Sequence, residues 1–151
     1  MIEKSNIRRL MVKCEKARKN ILHPYFSQIG LTFGQGQARV LETLLVRDHI
    51  SQKELADLCH IDVTTISRAI DRLEDTGYLV RERDPGCRRS FSICLTDHGR
   101  EAAFKVQQVL SFVDDRIWEG FSPEEMEQLS EMLQRICKNL EVSAFKPQQP
   151  Q

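Results

Sequence analysis

Residues 51–79 read SQKELADLCHIDVTTISRAIDRLEDTGYL, and this stretch decides the fold. Ser51 and Glu54 have the spacing of a capping box, in which both side chains accept backbone N–H groups at a helix start. Asp62 can cap a second helix, whose buried face is predicted by apolar residues at spacings of three and four: Val63, Ile66, Ile70 and Leu73. Gly77 supplies the left-handed residue that commonly follows a helix. The stretch therefore predicts two short helices joined by a tight turn.

The opposite face of the second helix is polar, and it carries Thr64, Thr65, Ser67, Arg68 and Arg72. Small hydroxyl groups at the start of a helix allow close approach to bases and phosphates, and an arginine one turn later can bind guanine. A solvated helix face is the alternative, and Arg72 could instead pair with Glu74 or Asp75. We expect this face to contact DNA, together with Ser51 and Gln52 at the start of the preceding helix.

A two-stranded hairpin with a basic tip is predicted after Gly77. The strands lie at 78–80 and 91–95, and Asp84-Pro85-Gly86 makes the turn between them. Arg88 and Arg89 stand at the tip, where they suit phosphate or minor-groove contacts. A flexible exposed hairpin is the alternative. Two helices followed by such a hairpin form a winged helix-turn-helix, so the predicted fold class is mainly α (α+β).

These segments resemble the MarR family of bacterial repressors. The resemblance rests on SQKELA at 51–56, TTISR at 64–68, DRLEDTGYL at 71–79, LTDHG at 95–99, and Leu31-Thr32 with QARVL at 37–41. It covers roughly residues 30–100, and both ends match in helical pattern only. It implies a homodimeric repressor whose winged-helix core at 31–99 binds a double-stranded DNA operator. The family usually carries an aspartate two residues before the wing arginine, whereas this chain has Cys87 ahead of Arg89.

The flanking sequence predicts further helices. Residues 4–29 form a long helix that Pro24 interrupts or kinks, with an apolar stripe of Ile7, Leu10, Met11, Cys14 and Ile21. Residues 35–47 form the next helix, and 49–50 a short strand that pairs with the hairpin. Thr96 caps a helix to about residue 120.

Ser122-Pro123 begins a last helix, predicted to run to about residue 142. Broad apolar faces in residues 100–142 need a partner. The resemblance implies one, a second copy docked through 1–30 and 100–142. We expect a single domain at 1–146 and a disordered tail at 143–151.

The composition narrows the class of protein but does not by itself predict DNA binding. The 151 residues carry 22 Lys and Arg against 22 Asp and Glu, so charge alone does not predict nucleic-acid binding. No stretch is long enough to span a membrane and no apolar leader begins the chain, so we expect a cytoplasmic protein. The five cysteines are scattered and odd in number, which argues against a disulfide framework.

A ligand cleft between the first two helices is implied by the resemblance alone. His23, Tyr25, Phe26 and Phe33 would line it and suit a phenolic or other amphipathic effector, or they could simply fill the core. Such an effector would release the repressor from its operator.

An oxidant-sensing repressor is an alternative, because some members of the family respond through a thiol in the first helix. Lys13 and Lys16 could lower the pKa of Cys14, but its place on the apolar stripe predicts a buried, inert thiol. Cys87 lies on an exposed turn, where it is either reactive or a tolerated substitution.

Other site classes find little support in the sequence. The four histidines, at 23, 49, 60 and 98, lack metal-binding spacing, and no catalytic motif is present. We expect no metal, no cofactor and no enzymatic activity. A winged-helix protein-interaction module that never binds DNA remains the alternative from another class.

Overall fold

The computed structural model describes residues 1–32, 34, 36–87 and 89–141. The predictions for Phe33, Arg88 and the tail at 143–151 lie outside these residues. The described chain confirms the predicted fold class, a mainly helical winged helix with one small antiparallel sheet. In chain order the elements are α1 (Lys4–Ile29), α2 (Gln37–Val46), β1 (Ile50–Ser51), α3 (Gln52–Cys59), α4 (Val63–Asp75), β2 (Leu79–Arg83), β3 (Phe91–Leu95), α5 (Asp97–Ile117) and α6 (Pro123–Asn139).

Two compact units make up the chain, Met1–Val113 and a second that begins at Asp114. No helix of the described ranges has the length and apolar character that crossing a bilayer requires.

Side-chain caps start the helices where the sequence predicts them. Ser51 Oγ accepts the Glu54 N–H at 3.1 Å, Thr96 Oγ1 accepts the Gly99 N–H at 2.9 Å, and Ser122 forms a complete capping box with Glu125. The predicted box at Ser51 is only half formed, and the Glu54 carboxylate lies 4.0 Å from the guanidinium of Arg47. Each cap satisfies an N–H group that has no partner within its own helix.

Pro24 does not interrupt α1, which runs from Lys4 to Ile29 and ends at Gly30 in the left-handed conformation. A proline removes one helical hydrogen bond. Leu22 and Phe26, on either side of it, are buried in the core and hold this segment against the rest of the first unit. Packing therefore offsets the local cost of the proline.

The core of the first unit lies where α2, α3 and α4 meet the sheet, and its fully buried side chains include Val40, Leu41, Leu44, Leu55, Ile66, Ile70 and Leu73. The prediction that Val63 belongs to the buried face is wrong, because its side chain is 75% exposed. Val63 is the first residue of α4, directly after its cap Asp62, whereas Ile66 one turn later is buried.

The sheet has the order β1-β3-β2, with both neighbours antiparallel to β3. Leu79 pairs with Leu95 and Arg83 with Phe91, which sets the register of the wing hairpin. Ile50 pairs with Ile93, so the predicted short strand exists but begins one residue later than expected.

Tyr78 connects three elements of the first unit. Its hydroxyl donates to the carbonyl of Ile29 at the end of α1, and its own carbonyl accepts the Thr96 N–H at 3.1 Å. Thr96 Oγ1 donates to the Gly77 carbonyl at 2.6 Å. A Cβ at Gly99, in the first turn of α5, would stand 1.6 Å from the Tyr78 oxygen, so only glycine fits there.

The second unit contains α6, and none of the helix's residues is buried. The exposed apolar side chains of α6 include Met126, Met132 and Leu133. A groove of about 710 Å³ runs along this helix, lined in part by Trp118, Met126 and Leu133.

Candidate nucleic-acid interface

Helix α4 presents a polar face away from the core. Ala69, Ile70 and Leu73 are buried on one side, whereas Thr64 and Arg68 are exposed on the other. Since residues four apart in a helix lie on one face, Arg68 stands one turn above Thr64. This is the arrangement of a helix that can enter a major groove.

Thr65 is tied to the cap of its own helix. Asp62 accepts the Thr65 N–H at 2.9 Å and the Thr65 hydroxyl at 2.7 Å. The Thr65 hydroxyl, followed by its backbone N–H, lowers the pKa of the Asp62 carboxyl below its usual value. Thr65 can therefore accept from a DNA donor but cannot also donate while this bond holds. Thr65 and Ser67 are both half-buried.

The sequence offered a pairing of Arg72 with Glu74 as an alternative to DNA contact. The structure does not form this pair, and the Arg72 side chain is exposed. Its Nη1 donates to Thr32 Oγ1 at 3.2 Å, and Thr32 lies in the segment between α1 and α2. Glu74 binds Arg81 instead, at 2.8 Å. Arg72 thus lies beside Thr32 on the same exposed surface as Arg68, with which it lines a shallow groove.

Arg81 bridges α4 and the wing. It is a residue of β2, and it donates to Asp71 Oδ1 at 2.6 Å and to Glu74 Oε1 at 2.8 Å on α4. Burial alone would lower the pKa of its guanidinium, but Asp71 and Glu74 raise the pKa above its ordinary value. This bridge was not predicted, because the strand expected from the sequence ended at residue 80 and left Arg81 outside it.

The wing turn closes as the Asp-Pro-Gly sequence predicts. Asp84 Oδ1 accepts the Gly86 N–H at 2.9 Å, and the Asp84 N–H donates to the Ser90 carbonyl at 3.0 Å. Arg89 is exposed at this tip. Arg83 lies over the Phe91 ring, 5.9 Å from its centroid, where the two strands meet the wing turn.

Ser51 and Gln52 are half-buried where β1 passes into α3. The Ser51 oxygen is engaged in the helix cap, which leaves its hydroxyl hydrogen for an external acceptor. A phosphate oxygen would be a suitable acceptor for this pair of residues.

The residues expected to form one ligand cleft are not all brought together. Phe26 is buried and lines a cavity of about 370 Å³ with Leu22 and Gln37. Tyr25 is exposed and packs edge-on against Phe112, with ring centroids 6.3 Å apart, at a different groove. His23 is exposed. Successive residues of a helix point in directions about 100° apart, which explains why Tyr25 and Phe26 separate.

Gln37 gives the 370 Å³ cavity a polar feature that the sequence analysis missed. Its side chain is 3% exposed, and its Oε1 accepts the Thr32 N–H at 3.2 Å. Among the described residues its Nε2 has no hydrogen-bond partner. Arg18 and Arg39 also line the cavity. A buried donor without a partner is costly, so an acceptor brought by a ligand would be stabilised here.

Comparison with known proteins identifies the chain. The family model described as MarR family matches residues 29–90. The uncharacterized HTH-type transcriptional regulator YkoM of Bacillus subtilis (strain 168) is 32% identical over 103 residues, which cover 68% of this chain and 67% of YkoM. The chain belongs to the MarR family.

Solved MarR-family structures match the fold. The transcriptional regulator SlyA superposes with a TM-score of 0.79 at 28% identity, covering 89% of this chain and 94% of SlyA. A MarR-family regulator from Listeria monocytogenes complexed with 26mer DNA gives a TM-score of 0.77 at 24% identity. The match covers 93% of this chain and 90% of the Listeria chain. This chain is a transcriptional regulator with the DNA-binding winged-helix fold of the family.

The cysteines differ in environment, and one departs from the MarR pattern. Cys87 is exposed, and the Ser90 hydroxyl, followed by the Arg89 backbone N–H, lowers the pKa of its thiol. Cys59 and Cys94 are buried, and desolvation raises the pKa of both thiols, that of Cys94 to about 11. The wing position usually held by an aspartate is therefore occupied by an accessible thiol.

The expectation that Cys14 is buried is wrong for the single chain. Cys14 is exposed, and so are Ile7, Leu10 and Met11 of the same stripe. An apolar stripe predicts burial only when another element covers it, and within the single chain this stretch of α1 is exposed.

Proposed function

We propose that this protein is a dimeric repressor that binds a pseudo-palindromic operator and is released from it by a small amphipathic molecule. The main support for DNA binding is the exposed polar face of α4, which Arg81 holds to the wing. The DNA complex of the Listeria relative, which has the same fold, supports it. A repressor acts where its operator is, so the proposal includes a cytoplasmic location.

Each side chain has a role that follows from its position. Thr64, Ser67 and Arg68 read base edges from α4, with Thr65 as an acceptor. Arg72 and Thr32 bind the phosphate backbone beside the groove. Arg88 and Arg89 of the wing contact phosphates or the minor groove, and Ser51 and Gln52 bind a phosphate at the start of α3.

Arg68 and Arg89 provide the test of DNA reading. The target is a duplex that the protein selects from a random-sequence pool, and affinities are measured for it and for random duplex at two salt concentrations. Arg68→Ala should cost about 1–3 kcal/mol on the selected duplex and relax discrimination at one position per half-site. Arg89→Ala should weaken both duplexes similarly and reduce the salt slope by about one per wing. Equal, sequence-independent losses for both variants would contradict base reading by α4.

Dimerisation is supported by apolar surface that a single chain leaves exposed. Ile7, Leu10 and Met11 on α1 are exposed, and Met132 and Leu133 on α6 are exposed as well. Such patches commonly mark protein interfaces. The proposal assigns residues 1–30 and 100–142 to the dimer and residues 31–99 to DNA. Two reading helices would then reach major grooves about 34–36 Å apart.

Analytical ultracentrifugation tests the dimer directly. At micromolar concentration we expect twice the mass of one chain, and a single-chain mass would contradict the proposal. Leu10→Asp should shift the equilibrium toward monomer because it places a charge in an apolar interface. Val46→Asp is the matched control, since Val46 is 82% exposed on α2, outside the proposed interface.

The cavity beside Gln37 is the proposed effector site. Leu22 and Phe26 offer an apolar wall, and the Gln37 Nε2 offers a buried donor. Asp62 and Thr65, the cap and first turn of α4, line the same cavity. An effector that contacts them would favour a conformation in which the two reading helices no longer match the operator, which is a shift of population.

Gln37→Glu tests the effector site with little change of shape. The carboxylate keeps an acceptor for the Thr32 N–H and replaces the donor with a second acceptor. We expect effector-induced release from the selected duplex, screened with a panel of phenols and aromatic acids, to be lost while affinity without effector is kept. Unchanged release would contradict this site.

Two alternatives predict other results. A protein-interaction module would show no salt-dependent binding to the selected duplex. A thiol sensor would lose oxidant-induced release in Cys14→Ser or Cys87→Ser, whereas the proposed repressor keeps its effector response in both.

A further inference from the structure

Three side chains of different type converge at the base of the wing. Asp48 and His49 immediately precede β1, and Cys94 lies on β3, which pairs with β1. One ligand atom from each lies within 4.8 Å of the others. Sequence spacing could not reveal this group, because the pairing of two strands brings together residues far apart in the chain.

The Asp48 carboxylate is held in place by its neighbours. Its Oδ1 accepts the His49 N–H at 2.9 Å and the Leu95 N–H at 3.0 Å, and its Oδ2 lies 3.1 Å from Arg100 Nη2. A carboxylate has about four acceptor positions. Three are engaged by these donors, and Oδ2, which keeps one, is the oxygen 3.7 Å from His49 Nδ1. Metal-binding carboxylates are commonly oriented by such surrounding hydrogen bonds.

Charge around Cys94 favours a cation. The thiol is buried, and both Glu82 on β2 and Asp48 interact with it electrostatically. Arg100 is the cation placed against Asp48. The two carboxylates of Asp48 and Glu82 face one guanidinium, that of Arg100, so an excess of negative charge surrounds the thiol and would attract a divalent ion.

We propose that Asp48, His49 and Cys94 bind one divalent ion of zinc's class, with Glu82 or water as the fourth ligand. Sulfur, nitrogen and oxygen donors together suit zinc, whereas magnesium and calcium take oxygen ligands. Tetrahedral zinc ligands stand about 3.5 Å apart, so the group must contract by about 1 Å. His49 is exposed, which leaves its ring room to turn. As the ion binds, the thiol proton leaves to solvent and a metal–sulfur bond forms.

The bound ion would join the segment before β1 to β3, and through Asp48 and Arg100 to the first turns of α5. This is a structural role at the base of the wing. It does not depend on DNA binding or on an effector, so it can be tested in their absence.

Cobalt(II) is the probe, because a thiolate ligand gives it a near-ultraviolet charge-transfer band and tetrahedral geometry gives it visible bands. Untagged protein is stripped with a chelator and titrated with cobalt, and zinc is then added to displace it. We expect saturation at one ion per chain, the charge-transfer band, and its loss on adding zinc.

Four variants locate the ion. Cys94→Ser should abolish the charge-transfer band, and His49→Gly should weaken binding at least about tenfold. His49 has a positive φ of 57°, which glycine adopts freely, so this variant keeps its fold even if Cys94→Ser does not. The matched controls, Cys87→Ser and His60→Gly (φ 52° and exposed), should bind as the unmodified chain does.

Absence of saturable binding would overturn the proposal. A band that survives in Cys94→Ser, or one that disappears in Cys87→Ser, would overturn it too. Equal affinity for His49→Gly and His60→Gly would exclude the imidazole as a ligand and have the same consequence.

Discussion

Replacing Arg81 by alanine removes the bridge between α4 and the wing. Its side chain is 24% exposed, while those of Asp71 and Glu74 are 61% and 40% exposed. Exposed ion pairs contribute about 0.2–1 kcal/mol each, so solvent screening limits this pair of contacts to about 1 kcal/mol in total. The melting temperature should therefore fall by about 2–4 °C.

Operator binding should suffer as well, because the bridge orders the wing before DNA arrives. In Arg81→Ala the wing is less ordered before DNA binds, and ordering it on binding costs about 0.5–1.5 kcal/mol. We therefore expect roughly a fivefold loss of affinity for the selected duplex. Arg83→Ala is the matched control. It removes the same charge from the same strand, but Arg83 lies over Phe91 instead of contacting α4.

Fluorescence anisotropy and thermal denaturation measure the two effects in parallel. Adding Asp71→Asn to Arg81→Ala should cost little more, because the shared contact is already gone. Equal operator affinities for Arg81→Ala and Arg83→Ala would refute the reasoning. An unchanged melting temperature for Arg81→Ala would do so independently.

Three further predictions concern stability and reactivity. Gly99→Ala should destabilise the fold by at least about 3 kcal/mol in urea denaturation, because its Cβ would stand 1.6 Å from a backbone oxygen, whereas Gly86→Ala should be tolerated. Asp62 has a lowered folded pKa, so its stability advantage over Asp62→Asn is full above about pH 3.9 and is lost as the pH falls through the folded pKa, measured by urea denaturation against pH. Cys87 should react with iodoacetamide at least about tenfold faster than Cys94 by mass spectrometry, because its pKa is lowered and that of Cys94 is raised.

The parts of the fold predicted from sequence depend on short-range chemistry. Ser51, Asp62, Thr96 and Ser122 each start a helix through a hydrogen bond to a residue three positions later, which sequence spacing reveals. The wing turn is equally local. These local features explain why the predicted order of helices and strands is confirmed, although the observed ends differ from the predicted ones by a few residues.

The errors arise where a partner outside the local sequence decides the result. Whether the stripe around Cys14 is buried depends on what covers it, and Val63 has the right spacing but no covering element. The alternative pairing of Arg72 with Glu74 did not allow for Arg81 of β2, which binds the Glu74 carboxylate at 2.8 Å. The buried donor of Gln37 and the convergence at Cys94 depend on tertiary structure, so no spacing rule could reveal them.

Tyr78 has a consequence for anyone who wishes to transplant the DNA-reading core into another protein. Its hydroxyl is bonded to the last turn of α1 at Ile29, and its backbone to the segment that begins α5. A fragment cut at residues 31–99 would leave that hydroxyl without its acceptor and uncover Leu31 and its neighbours in the core. A fragment meant for transfer should therefore begin at least one helical turn before Gly30. A shorter fragment would need Tyr78→Phe and a new segment that covers the core around Leu31.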